Sequence, residues 1–194
     1  MKSIHLLAIL LPVLGLAALT TGSAASEPSP DASTIEPADA LGSLFVTPSR
    51  PAIDPGTRNV LTLVGVDGDI LADVPVKIVF ESDAICVCSD AVLTGRTNAD
   101  GQFEFITAAG GYSGTPGSAL VVADTVILRE FAVKSPDNDG ASGDCVVRLP
   151  DLVALSACLE RPCIEQWDFD NDGVFGLGDL ILYGRSFASQ QHCN

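Results

Sequence analysis

From Ser43 to about Lys134, apolar and polar residues alternate in short runs broken by Gly, Pro and Asp, the period of strands that bury one face. Val60–Val66, Val74–Phe80 and Gly101–Thr107 show it best. The second run places Val74, Val76, Ile78 and Phe80 on one face, and the third points Phe103 and Phe105 inward. Leu44–Val46, Leu93–Thr97, Ala119–Ala123 and Val126–Val133 supply the remaining strands, about seven in all, and Asp67-Gly68-Asp69, Asn98-Ala99-Asp100-Gly101 and Gly110-Gly111-Tyr112-Ser113-Gly114 are turn signals between them. Short strands without a helical period predict an antiparallel β-sandwich over residues 43–134.

The flanking segments read differently. Residues 1–25 carry Lys2, an apolar run from Leu6 to Leu19 interrupted by Pro12 and Gly15, and then Gly22, Ser23, Ala24 and Ala25. That order is a secretory signal peptide cleaved after Ala24 or Ala25, because the run is shorter than the ~20 apolar residues of a spanning helix. No later segment is apolar for long enough to span a bilayer. Residues 26–42 hold three prolines, four acids and no Lys or Arg, and read as a solvated Pro- and acid-rich linker.

Charge narrows the partners. Ten Lys and Arg stand against 25 Asp and Glu, a net charge of −15, which argues against nucleic-acid or anionic-membrane partners and points toward cations. The two histidines are His5, in the presequence, and His192, at the C-terminal end, so neither a His-based triad nor a three-His zinc site can be assembled. Paired carboxylates are formally open, but a solvated acidic surface accounts for most of them, and the expectation is a protein that is not an enzyme.

Six cysteines follow the presequence: Cys86, Cys88, Cys145, Cys158, Cys163 and Cys193. In an exported chain an even count implies disulfides, although six cysteines permit about 15 pairings. Two bridges are expected near the C-terminus, Cys158–Cys163 across a helix end and Cys145–Cys193 tying the ends of that region together. Cys86 and Cys88, two apart on a strand, would bridge only with strain or through a turn, and a zinc cluster is the alternative.

The strand Val74-Pro75-Val76-Lys77-Ile78-Val79-Phe80, followed by Gly95-Arg96-Thr97-Asn98-Ala99-Asp100-Gly101-Gln102-Phe103-Glu104-Phe105, resembles the bacterial immunoglobulin-like domains of invasin and intimin type. A similar Thr-to-Gly-x-Phe turn occurs in the sandwich attached to some carboxypeptidases, so the superfamily is better supported than the family. The resemblance covers about residues 43–134 and implies a spacer or adhesive module. Tyr112 and the Gly-rich segment 110–117 read as a connecting loop, with contact to a ligand as the alternative.

The C-terminal 60 residues carry the most specific pattern, Asp168-Phe169-Asp170-Asn171-Asp172-Gly173-Val174 closing on Asp179-Leu180. A 12-residue calcium loop needs oxygen ligands at positions one, three and five, a glycine at six, a backbone carbonyl at seven and a carboxylate at twelve. Asp168, Asp170, Asp172, Gly173, the Val174 carbonyl and Asp179 meet those needs in register. Crowded carboxylates repel one another unless a hard cation sits among them. Beyond the loop, Leu180, Tyr183 and Phe187 recur at helical spacing.

A second copy lies upstream, opening with Asp137-Asn138-Asp139 and closing with Asp151-Leu152, the two closing acids 28 positions apart. Loop, helix, linker, loop and helix, with Asp rather than Glu at position twelve, resembles a type I dockerin, the duplicated calcium module of cellulosomal enzymes, over about residues 135–191. The first loop carries about three extra residues. With that insertion between Asp139 and Asp144, its ligands are Asp137, Asp139, Asp144, the Val146 carbonyl and Asp151, and Cys145 takes the glycine position. The tenth and eleventh positions, which in cellulosomal dockerins help choose the cohesin, are Leu149-Pro150 and Leu177-Gly178, neither being the hydroxyl pair of those enzymes.

Taken together, a mostly β immunoglobulin-like sandwich and a small α-helical dockerin-like module at 135–194 are expected. The function expected is that of an exported non-catalytic protein that binds calcium at the second loop, with the first in question, and docks to a cohesin-like or cell-surface protein partner. An accessory role in a secreted polysaccharide-degrading system is the alternative.

Overall fold

A computed structural model describes residues 26–48, 57–139, 142–158, 164–188 and 193; the presequence expected at 1–25 lies outside them. The chain is mostly β-sheet with a few short helices. A three-stranded antiparallel sheet places β3 (Arg58–Thr62) between β1 (Thr34–Glu36) and β7 (Gln102–Ile106). A four-stranded antiparallel sheet runs β10 (Val126–Phe131), β9 (Ala119–Ala123), β4 (Pro75–Phe80), β6 (Thr94–Arg96). Two short pairs complete it: β2 (Leu44–Phe45) parallel to β11 (Val133–Lys134), and β5 (Cys86–Val87) antiparallel to β8 (Ala109–Gly110).

Alternation in the strands explains one shared core. Leu61, Phe103 and Phe105 from the first sheet meet Val76, Ile78, Val121 and Ala123 from the second, all buried. Val74 and Phe80, expected on the inner face of their strand, are half-buried and pack at its edge. In β10 the strict period fails, because a register shift between Ile127 and Arg129 lets both Leu128 and Phe131 turn inward. A bulge has this effect by advancing the pleat one residue.

Residues 26–42 are not a solvated linker. Pro28 bridges Gly65, β1 pairs β3 from Thr34 to Glu36, and α1 (Ala38–Leu41) follows. Ile35 is fully buried in the core, a burial that stabilises by about 1.5–3 kcal/mol. One acid of this segment finds a cation far along the chain: Arg129 pairs with Asp39 and donates to the carbonyls of Pro30 and Ser33. Composition alone hides such a partner.

The C-terminal region adds α2 (Leu149–Ala157), α3 (Ile164–Trp167) and α4 (Leu177–Ala188). Their small core joins Leu155, Trp167, Phe169 and Tyr183 to Phe45 of β2, with Phe45 and Phe169 edge to face at 5.4 Å. The disulfides differ from expectation. Cys145 is bonded to Cys86 and Cys193 to Cys88, so the expected Cys145–Cys193 bridge is absent, no zinc cluster forms from these thiols, and Cys86 and Cys88 do not bridge each other. On β5 and just after it, the two thiols sit beside the first acidic loop and the C-terminal end, a proximity that only the folded chain creates. Cys158 is also disulfide-bonded, and Cys163, its expected partner, lies outside the described residues. No helix of the described residues is long and apolar enough to cross a membrane.

Candidate metal centre

The loop between α3 and α4 is organised by its own carboxylates. Asp168 accepts hydrogen bonds from the N–H groups of Asp172 and Gly173, both at 3.0 Å, and Asp172 accepts from Val174 at 2.8 Å. The closing Asp179 accepts from Phe169 at 2.6 Å and Asp170 at 3.3 Å through one oxygen, and from Gly176 at 2.8 Å through the other. Gly173 has φ +84°, the left-handed conformation that glycine adopts without penalty and the sharp turn at position six requires. Ligand oxygens of Asp168, Asp170 and Asp172 lie within 4.8 Å of one another.

These residues fit a hard cation. Asp168 and Asp179 are buried, Asp170 is half-buried and Asp172 is exposed, a set that opens to solvent on one side. Burial, reinforced by the charge of Asp179, raises the Asp170 carboxyl above its ordinary range. Lys134 of β11 reaches in from below, donating to the Asp168 carbonyl and, at 2.8 Å, to Asn171 Oδ1. Its burial pulls the ammonium pKa down, against the upward pull of Asp168, Asp179 and Asp170.

The upstream loop repeats this frame. Asp137 accepts from Asp144 at 3.3 Å and Cys145 at 2.7 Å, as Asp168 does from Asp172 and Gly173. Asp144 accepts from Val146 at 3.1 Å, Asp151 from Asn138 at 2.7 Å and from Arg148 at 2.8 Å, each the counterpart of a bond in the second loop. Cys145 even takes the left-handed turn of Gly173, with φ +63°. Five matching bonds and one matching turn align the loops with the extra residues between Asp139 and Asp144.

The loops differ in their carboxylates. Among the described residues Asp137, Asp139 and Asp144 form no group like that of Asp168, Asp170 and Asp172. Asp137 is fully buried against β8, where a Cβ on Gly110 would lie 1.7 Å from its Oδ2. The glycines at 110 and 111, which look like a turn in sequence, are there to let this loop approach the sheet. The contacts that Lys134, Asn171 and Gly110 make were not readable from the sequence, because each acts through tertiary contact.

Burial, and after it the charge of Asp151, push the Asp137 carboxyl up to about 7, and burial raises Asp151 as well. An acid with a raised native pKa holds a proton that the unfolded chain has released, so its stabilisation is complete below about pH 4 and is lost as pH climbs through about 7. In chelator the melting temperature is therefore expected to fall between about pH 4 and about pH 7, and Asp137→Asn to flatten most of that fall. Thermal melts over a pH series check this.

Comparison of the chain with family models, with curated proteins and with solved structures gave no significant match.

Proposed function

We propose that this is an exported, non-catalytic protein in which a dockerin-like calcium module, built onto an immunoglobulin-like sandwich, docks to a protein partner. The observation that carries the reading is the duplicated loop frame; in its second copy Asp168, Asp170, Asp172, the Val174 carbonyl and Asp179 would be the calcium ligands. Asp oxygens in this number suit calcium better than softer metals.

A duplicated apolar face supports the docking half. Four residues past each closing acid, Leu155 and Tyr183 are buried in the module core. Two residues before and two after, Leu149 and Val153 on α2 and Leu177 and Ile181 on α4 are exposed, Leu177 by 73 %. Leu149, Val153 and Ala154 line a depression of about 470 Å³ with Asp139 and Pro150. Equivalent helices that expose equivalent aliphatic pairs give the module two similar docking surfaces, and exposed apolar patches of this kind mark contact sites.

The test uses the whole mature chain, because Phe45 and two disulfides make the module inseparable from the sheets. Calcium is expected to raise the melting temperature, since an ion that binds only the folded state stabilises it. The immobilised protein is expected to retain a secreted protein in calcium and release it in chelator. Leu149→Glu with Val153→Glu, combined with Leu177→Glu and Ile181→Glu, should abolish capture, and either pair alone should weaken it, while calcium still raises the melting temperature. Capture indifferent to both chelator and variant would remove the docking proposal, and identical melts with and without calcium would remove the metal.

A further inference from the structure

The closing carboxylate of each loop accepts a hydrogen bond from the backbone N–H three residues before it, Arg148 to Asp151 and Gly176 to Asp179, at 2.8 Å in both. Arg148 and Gly176 are thus equivalent positions with opposite endowments. Gly176 brings no side chain to its loop. Arg148 sends its guanidinium onto the Asp144 carboxylate, and its Nη2 lies 4.0 Å from Asp139 Oδ2. Asp139 and Asp144 correspond to Asp170 and Asp172, two of the three carboxylates that draw together in the second loop.

We propose that Arg148 is a built-in cation standing where the first loop would otherwise hold a metal ion, so that the protein binds one calcium ion, at the second loop only. The inference rests on the calcium reading above and adds the residue that sets occupancy. A guanidinium forks between two carboxylates, keeps its charge throughout the folding range and cannot diffuse away. A divalent ion entering beside it must either expel it or bear the repulsion of a third positive charge a few ångströms off. The side chain is 53 % exposed, so the pair adds little to stability and its removal leaves the backbone bond from position 148 to Asp151 in place.

Calorimetric titration with calcium of the mature, oxidised full chain tests this. The wild type is expected to bind one ion, Arg148→Gln two, and Arg148→Lys one. Asp170→Asn should take the wild type from one ion to none and Arg148→Gln from two to one, which places the gained ion in the first loop. Two ions in the wild type overturn the proposal, whatever the variants do. So does a single ion in an Arg148→Gln protein whose circular dichroism matches the wild type, and Arg148→Met offers the same test if the Gln variant folds poorly. No ion in the wild type would instead overturn the calcium reading on which this rests.

Discussion

Asp179→Ala is expected to abolish calcium binding and to destabilise the protein even in chelator. The two effects have separate origins. In the proposed site Asp179 would close the ligand set, and the stabilisation lost with the ion is about 2.7 kcal/mol when calcium stands a hundredfold above its dissociation constant. Its carboxylate also accepts three backbone N–H groups, from Phe169, Asp170 and Gly176, while itself fully buried. Each donor left unpartnered costs about 1–3 kcal/mol, so the apo protein should lose roughly 3 kcal/mol or more. Asp170→Asn separates the two effects. Among the described residues Asp170 accepts only a long bond from Asp172 at 3.4 Å, so this change should remove measurable calcium binding and leave the chelated melt close to wild type. Melts of both variants with and without calcium decide the matter. Equal behaviour of the two would mean that Asp179 is a ligand alone, and a destabilised Asp179→Ala protein that still responds to calcium would mean that it is a cap alone.

Phe169→Ala is the second large expected effect, about 3–5 kcal/mol, the usual cost of deleting a fully buried aromatic ring. Phe169 packs edge to face on Phe45 at 5.4 Å and on Trp167 at 6.0 Å, so the deletion opens a cavity between the helices and β2. Because Phe45 belongs to both regions, unfolding is expected to remain a single event. Trp167, the one tryptophan in the chain, reports the helical core, and far-ultraviolet circular dichroism reports the strands and helices together. Denaturant curves from the two probes should coincide in wild type and variant alike, shifted together to lower denaturant in Phe169→Ala. Curves that part would show two independently folding regions.

What the sequence made legible is what local geometry dictates. The second loop could be read in register because position six demands a left-handed residue and positions one, three, five and twelve demand oxygen, all within one stretch. The same logic put Cys145 at the turn of the first loop despite the inserted residues, and its positive φ agrees. Strand positions such as Phe103 and Phe105 followed from alternation. The disulfides did not follow, because Cys86 meets Cys145 across 59 residues only after β5 has paired with β8. Nor did the docking of residues 26–42 onto the sheet, since a segment rich in Pro and acid looks solvated until Arg129 and the edge of β3 are supplied. Arg148 escaped notice for a similar reason: as a lone basic residue it reads as solvent-facing charge, and only its alignment with Gly176 gives it meaning.

The short parallel pair of β2 and β11 has a mechanical consequence. Its neighbouring residues Phe45 and Lys134 enter the helical core and the second loop respectively, while Ser135, Asp137 and Asn138 just beyond are buried. Tension applied by anything gripping α2 or α4 would pass directly into the sheets, loading two covalent crosslinks and a sealed seam at once. The molecule would resist such a pull as a bracket does, keeping α2 and α4 at a fixed angle to the sheets.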